Sequence, residues 1–141
     1  MDVLVLIGRI LFALLFLLNA VNHLTNTKAL AGYTTSRGVP RALAPAAVVG
    51  TGLLLLAGAV SVGLGIWADL GALLLAVFLF PTALLMHRFW AETEPMTRLN
   101  EQAHFFKDIA LGGAALMLLA FFSYVGDELG LTITGPLFHL S

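Results

Sequence analysis

Asn19 and His23 lie four residues apart, His87 stands at the end of an apolar run, and Asn100, His104, Lys107 and Asp108 recur at helical spacing. On a helix, positions 19 and 23 share a face, and so do 100, 104, 107 and 108. These side chains suit proton and anion handling: imidazole accepts or donates near neutral pH, amides orient a carbonyl, a lysine holds developing negative charge, and a carboxylate passes protons. A quinone head group could sit between a histidine donor and an amide, with the carboxylate as proton relay. Two histidines could ligate a haem, or three could hold a metal with Asp108 or Glu101. The same groups could also form a plain interfacial network that satisfies helix ends. No two histidines stand at His-x-x-x-His spacing on one helix, so no metal ligand is assigned. The candidate ligand-binding set is Arg9, Asn19, His23, His87, Asn100, His104, Lys107 and Asp108, with no catalytic role attached.

Four apolar stretches must position these residues. Helices are expected over about 3–24, 42–64, 66–90 and 100–125, followed by a tail over 126–141. Each stretch has the ~20 residues that a helix rising 1.5 Å per residue needs to cross ~30 Å of hydrocarbon. The chain is 60% hydrophobic and 11% charged, with a mean hydropathy of +0.97; an ordinary soluble domain carries about 25% charged residues. A soluble bundle needs a polar stripe on each helix, and 73–81 and 109–123 offer none. The fold class is therefore an all-α membrane protein, a single domain built as an antiparallel bundle of four transmembrane helices. The first stretch lacks a basic leader and is expected to be retained as a span.

The up-down path brings His23, His87 and His104 to one level. Lys28, Arg37, Arg41, Arg88, Arg98 and Lys107 lie at that same end, six of the seven basic residues, and only Arg9 lies toward the other. Basic residues are retained on the cytoplasmic side, which places both termini outside. A net charge of −1 and no basic tail give no sign of nucleic acid as a partner. The absence of cysteine excludes a thiol redox pair and thiolate-held iron–sulfur or zinc within this chain.

Finer features follow. Lys28–Tyr33 reads as a short interfacial helix, and 36–41 as a turn. Pro81 should kink the third span. Ala91–Arg98 reads as a loop broken by Pro95. Leu131–Thr134 alternates as a short strand or outer lid would. Arg9, two turns into the first span, has Asp69 as its expected partner, or else grips an anionic group or snorkels outward. Ala46 and Gly50, Ala59 and Gly63, and Ala72 and Ala76 stand at the four-residue spacing that lets helices approach closely, within one bundle or across a partner face. Trp67 and Trp90 are placed as interfacial anchors.

The residues also resemble a known family. Gly8-Arg9-Ile10 with Asn19-Ala20-Val21-Asn22-His23-Leu24, the Tyr33…Arg37-Gly38-Val39-Pro40 stretch, Gly58…Gly63-Leu64-Gly65, His87-Arg88-Phe89-Trp90 and Asn100…Lys107-Asp108-Ile109-Ala110-Leu111-Gly112-Gly113-Ala114 look like the DoxX family of small bacterial membrane proteins, over about residues 5–122. Two departures stand out. Similar proteins often carry a glutamate where this chain has Leu53-Leu54-Leu55-Leu56, and an arginine where it has Ile66-Trp67-Ala68. The resemblance implies a four-helix bundle in the bacterial inner membrane and an accessory subunit of a redox complex. Quinone is the implied cofactor, and membrane lipid and other protein subunits are the implied partners. A non-catalytic scaffold for another membrane complex is the alternative. A small transporter is less well supported, since the chain lacks paired broken helices in matching halves.

Overall fold

Hydrocarbon offers a backbone no hydrogen-bond partner but itself, so each apolar stretch closes its own ladder as a helix. The computed structural model describes residues 1–139. Its helices are α1 (Asp2–Thr25), α2 (Thr27–Ser36), α3 (Ala44–Leu64), α4 (Ala68–Met86) and α5 (Pro95–Val125), with short 3-10 turns at Phe89–Ala91 and Gly126–Glu128. Four segments are long and apolar enough to span a membrane: α1, α3, α4 with the turn after it, and α5. Leu4, Leu11, Leu18, Leu53, Val77 and Met117 lie exposed on the outside of the bundle. Such a surface belongs in lipid, and the protein is a multi-pass membrane protein.

Several boundaries differ from the sequence-based ones. The last span was expected from residue 100 and begins at Pro95. Pro95 is the first helical residue rather than a loop breaker, since its missing N–H would go unpaired there anyway. Glu94 caps this start, accepting the N–H groups of Met96 at 3.0 Å and Thr97 at 2.6 Å. The Thr97 side chain first, and then these backbone bonds, hold its carboxyl below the ordinary range. The third span was expected over 66–90, but α4 starts at Ala68 and stops at Met86, and the chain then re-forms as a 3-10 turn. Helix α4 continues through Pro81.

The bundle is a sequential stack. Helix α1 packs on α3, α3 on α4 and α4 on α5, with α2 folded against α3. Among the described residues, α1 and α5 share no backbone interface of that extent. Side chains close the seam instead: Phe16, Ala20, Leu75, Leu79 and Ala115 are buried, with Phe12 and Leu111 packed beside them. Helices α3 and α4 cross where Gly58 faces Gly71. A Cβ on Gly58 would lie 2.7 Å from Leu75 Cδ2 and 3.2 Å from the Gly71 carbonyl, so only glycine permits this approach. Ala59, Gly63, Ala72 and Ala76 are likewise buried inside the bundle. Ala46 and Gly50 face outward.

Met1, the α3–α4 turn and the tail share one end of the bundle, the terminal end. Helix α2, the end of α4 and the start of α5 form the other, the loop end. At the terminal end the expected Arg9–Asp69 pair does not form, because the tail returns and supplies backbone partners to both. Arg9 Nη2 donates to the carbonyls of Leu131 at 2.7 Å and Gly63 at 3.3 Å. Asp69 accepts the N–H groups of Leu137 at 3.0 Å and Phe138 at 2.6 Å. Ile133 and Thr134 both donate to the Gly65 carbonyl at 3.0 Å, and the Trp67 N–H donates to Thr134 Oγ1 at 2.8 Å. No strand forms among the described residues; Leu131–Thr134 is an irregular strap across the bundle end. The last two expected tail residues, 140 and 141, lie outside the described residues.

Candidate functional site

The loop end gathers most of the polar side chains singled out from sequence, in two connected parts. The first is a cavity of about 120 Å³ in the seam between α1 and α5. Its polar lining comes from Asn19, His23, Thr82, His87, Lys107 and Asp108, and its apolar wall from Leu15, Phe16, Phe78, Leu79 and Leu111. Helix α4 forms the floor. Two polar side chains therefore reach the cavity from each of three spans, Asn19 and His23 from α1, Thr82 and His87 from α4 and its end, and Lys107 and Asp108 from α5.

His23 is held from behind. Its Nδ1 lies 3.0 Å from Thr51 Oγ1 and 3.3 Å from the Val48 carbonyl. Thr51 Oγ1 donates to the Ala47 carbonyl at 2.8 Å. A carbonyl only accepts, so Nδ1 carries the proton and Nε2 is left as the acceptor of the neutral ring. Gly52 makes this fit possible, since a Cβ there would lie 2.9 Å from His23 Cβ.

The second part is an ionic chain running from the cavity to the loops. His87 Nε2 lies 3.6 Å from Asp108 Oδ2, and Nδ1 lies 2.8 Å from Glu101 Oε2. Glu101 Oε1 in turn takes a hydrogen bond from Arg37 Nη2, whose Nη1 donates to Glu92. Tyr33 Oη lies 3.4 Å from Glu101 Oε1 and donates to the Met86 carbonyl at 3.2 Å, covering the end of α4. The Arg37 guanidinium stacks 5.0 Å over the Tyr33 ring, and Arg88 Nη2 holds the Arg37 carbonyl at 2.7 Å. Burial, then the Glu101 charge, pushes the Tyr33 phenol above its ordinary value.

The remaining candidates divide. His104 stacks on His87 with ring centroids 5.1 Å apart, and Lys107 Nζ donates to its Nδ1 at 3.2 Å. Lys107 also lies 3.5 Å from Asp108. Asn100 is exposed and does not line the cavity. Arg9 lies at the terminal end, buried to 2% exposure and bound to the tail, so it is not part of this pocket. Glu101 is the residue whose central place the sequence reading missed. Seven residues turn a helix by about 700°, so Glu101 and Asp108 sit on one buried line of α5, while Asn100 stands on an exposed one. That spacing was readable; the arrival of Arg37 and Tyr33 from α2 was not. Among the described residues no three histidine or carboxylate side chains converge as a metal site.

Two larger grooves lie elsewhere. One of about 430 Å³ is an apolar trough on the lipid side of α3 and α4, including Leu53, Val60, Trp67 and Leu74. The other, of about 700 Å³, lies between α2 and the start of α3.

Comparison with known proteins gives one match. The model of the family described as DoxX matches residues 4–88, from the first turns of α1 to just past the end of α4. His104, Lys107 and Asp108 lie beyond the matched region. No curated protein matches, and no solved structure does. The match takes in three of the four spans, including His23 and His87, and the chain belongs to the DoxX family.

Proposed function

We propose that the protein is a small membrane subunit of a redox complex, and that it holds a quinone head group in the seam between α1 and α5 at the loop end. The single observation that carries this reading is the composition of the cavity. It combines polar groups from three spans with the apolar side chains of Leu15, Phe16, Phe78, Leu79 and Leu111. An amphiphile with a polar ring and an apolar tail matches such a site, and it would enter from the membrane between two helices that do not pack closely. The fit is supported by chemistry as well, since Lys107 offers a donor to a quinone carbonyl oxygen and His23 Nε2 an acceptor for the hydroxyl of the reduced quinol.

When bound, a quinone takes up or releases two electrons and two protons. The chain has no cysteine, so the electrons are assigned to a cofactor on a partner subunit. The protein's own task is binding and proton handling. Asn19 and Lys107 orient and hold an oxygen, and His23 is fixed as an Nε2 acceptor by Thr51 and Val48. His87 lies between Asp108 in the cavity and Glu101 toward the loops, the order a proton path requires. The distribution of basic residues supports placing the loop end in the cytoplasm and both termini outside the inner membrane.

Purification from native membranes in mild detergent, with extraction of quinones and identification of co-purifying proteins, tests the reading. A retained quinone, an accompanying redox subunit, and loss of both quinone retention and quinone-dependent activity in His23→Ala and Lys107→Ala are the expected results. Equal quinone retention by the wild type and both variants would sink it.

A scaffold role is favoured by one observation of its own: Ala46 and Gly50 face outward on α3, with no atom within 4 Å of a Cβ placed on Gly50. Under that reading Gly50→Leu disrupts assembly with a partner, while His23→Ala is tolerated.

A further inference from the structure

We infer that the groove between α2 and the start of α3 is a binding site for the phosphate of an anionic glycerophospholipid, with Lys28 and Arg41 as its two cationic contacts. The groove measures about 700 Å³ and is lined by Thr27, Lys28, Ala31, Gly32, Thr35, Arg41 and Pro45. Its position in the fold sets what can reach it. Lys28 stands three residues beyond the end of α1 at Thr25, and Arg41 three residues before the start of α3 at Ala44. Both therefore lie where two spans leave the hydrocarbon, at the depth of lipid head groups.

Charge pairing separates these two residues from their neighbours. At the loop end Arg37 is paired with Glu92 and Glu101, and Lys107 lies beside Asp108. Among the described residues Lys28 and Arg41 have no acidic partner within salt-bridge distance, and no acidic residue lines the groove. Two cations left uncompensated in one recess attract a phosphate.

The rest of the lining suits a lipid rather than a soluble anion. The Thr27 and Thr35 hydroxyls are already spent on backbone, donating to the His23 carbonyl at the end of α1 and to the Ala31 carbonyl of α2 at 2.8 Å each. Beyond the two cations, the groove therefore presents mainly the small surfaces of Ala31, Gly32 and Pro45. Small residues on α2 make the recess, and the glycerol and first acyl carbons can rest against them. The recess is also preformed, because Ala31, Ala44 and Val48 pack as a buried cluster that fixes α2 on α3.

The test uses the full chain in nanodiscs of phosphatidylcholine doped with phosphatidylglycerol. Retained lipid is counted by native mass spectrometry after release into detergent. The expected result is selective retention of phosphatidylglycerol, weakened about fivefold by Lys28→Gln or Arg41→Gln and roughly thirtyfold by both. Arg98→Gln, which removes an exposed basic residue at the same end but outside the groove, should leave retention unchanged. Thermal unfolding in pure phosphatidylcholine should be the same for all four variants, which excludes a folding defect. Equal retention of the two lipids, or an equal loss in Arg98→Gln, overturns the proposal in favour of diffuse surface charge. Displacement of the lipid by millimolar inorganic phosphate overturns it in favour of a soluble anion.

Discussion

The carboxylate of Asp69 accepts the backbone N–H of Phe138 at 2.6 Å, joining the first turn of α4 to a residue 69 positions further along the chain. The Leu137 N–H binds its other oxygen at 3.0 Å. Asp69 is fully buried, so its charge is stabilised by these two donors and by the start of α4, whose dipole favours an acid in the first turn. Arg9 makes the matching contact from the opposite sign, donating to the carbonyl of Leu131. Leu131 takes a left-handed φ of 59° there, a conformation a branched residue adopts only under constraint. Two buried ions of opposite charge thus clamp one strap instead of each other.

Asp69→Ala should therefore free the tail. Two hydrogen bonds to a buried charge are lost, at a cost of about 3 kcal/mol in bundle stability. Hydrogen exchange should accelerate at the amides of Ile133, Thr134, Leu137 and Phe138 together. An exchange pattern confined to Leu137 and Phe138 would mean that the strap is not a unit.

Glu101 is shared between Arg37 and His87, so its removal strips partners from both. Glu101→Leu should destabilise the protein by roughly 3–5 kcal/mol, the range for breaking a buried pair from one side. Arg37→Met should cost a similar amount, and the double variant much less than the sum. Thermal unfolding of the four proteins in one nanodisc lipid measures the coupling, and additive losses would show that the pair is not an energetic unit.

Tyr33 and Tyr124 are the only tyrosines, so Tyr124→Phe leaves Tyr33 as the sole phenol in an absorbance titration. Its midpoint should lie above 10.0, raised by burial first and by the Glu101 charge second. Because the folded value is raised, the phenol's contribution to stability is complete below pH 10 and lost as pH climbs through the folded value. Glu101→Gln should lower the midpoint and still leave it above 10.0, since the larger cause remains. A midpoint at or below 10.0 in Tyr124→Phe alone would show that Tyr33 is open to water.

The legible and illegible parts of the fold separate along physical lines. Span number and order follow from apolar length, which is a local property, and the convergence of His23, His87 and Asp108 follows from counting crossings. Proline is ambiguous at α5: Pro95 alone suggests a broken loop, but the capping Glu94 before it makes Pro95 a first helical residue. Asn100 and Asp108 fall within one broad helical face, and only the packing against α4 narrows that face to the Glu101–Asp108 line. Partners supplied from afar could not be read at all. Arg37 meets Glu101 across 64 residues, and Asp69 meets the tail across 68, through folds of α2 and of the C-terminal strap that no local pattern encodes.

Adjacent glycines on α5 offer a test that separates packing from partnership. Gly112 is buried against α4, and a Cβ there would lie 2.8 Å from Phe80 Cζ. Gly113 points away from the bundle, with nothing within 4 Å of its Cβ position. Gly112→Leu must displace the Phe80 ring and should lower stability by about 1–3 kcal/mol or more, as overpacking does. Gly113→Leu should leave the isolated protein as stable as the wild type, because the added side chain enters lipid. The informative comparison is in native membranes. If Gly113→Leu unfolds normally in nanodiscs yet no longer co-purifies with the redox subunit proposed above, α5 carries a docking face. If association survives, contacts must come from another helix, and the outward Ala46–Gly50 face of α3 is the next to substitute.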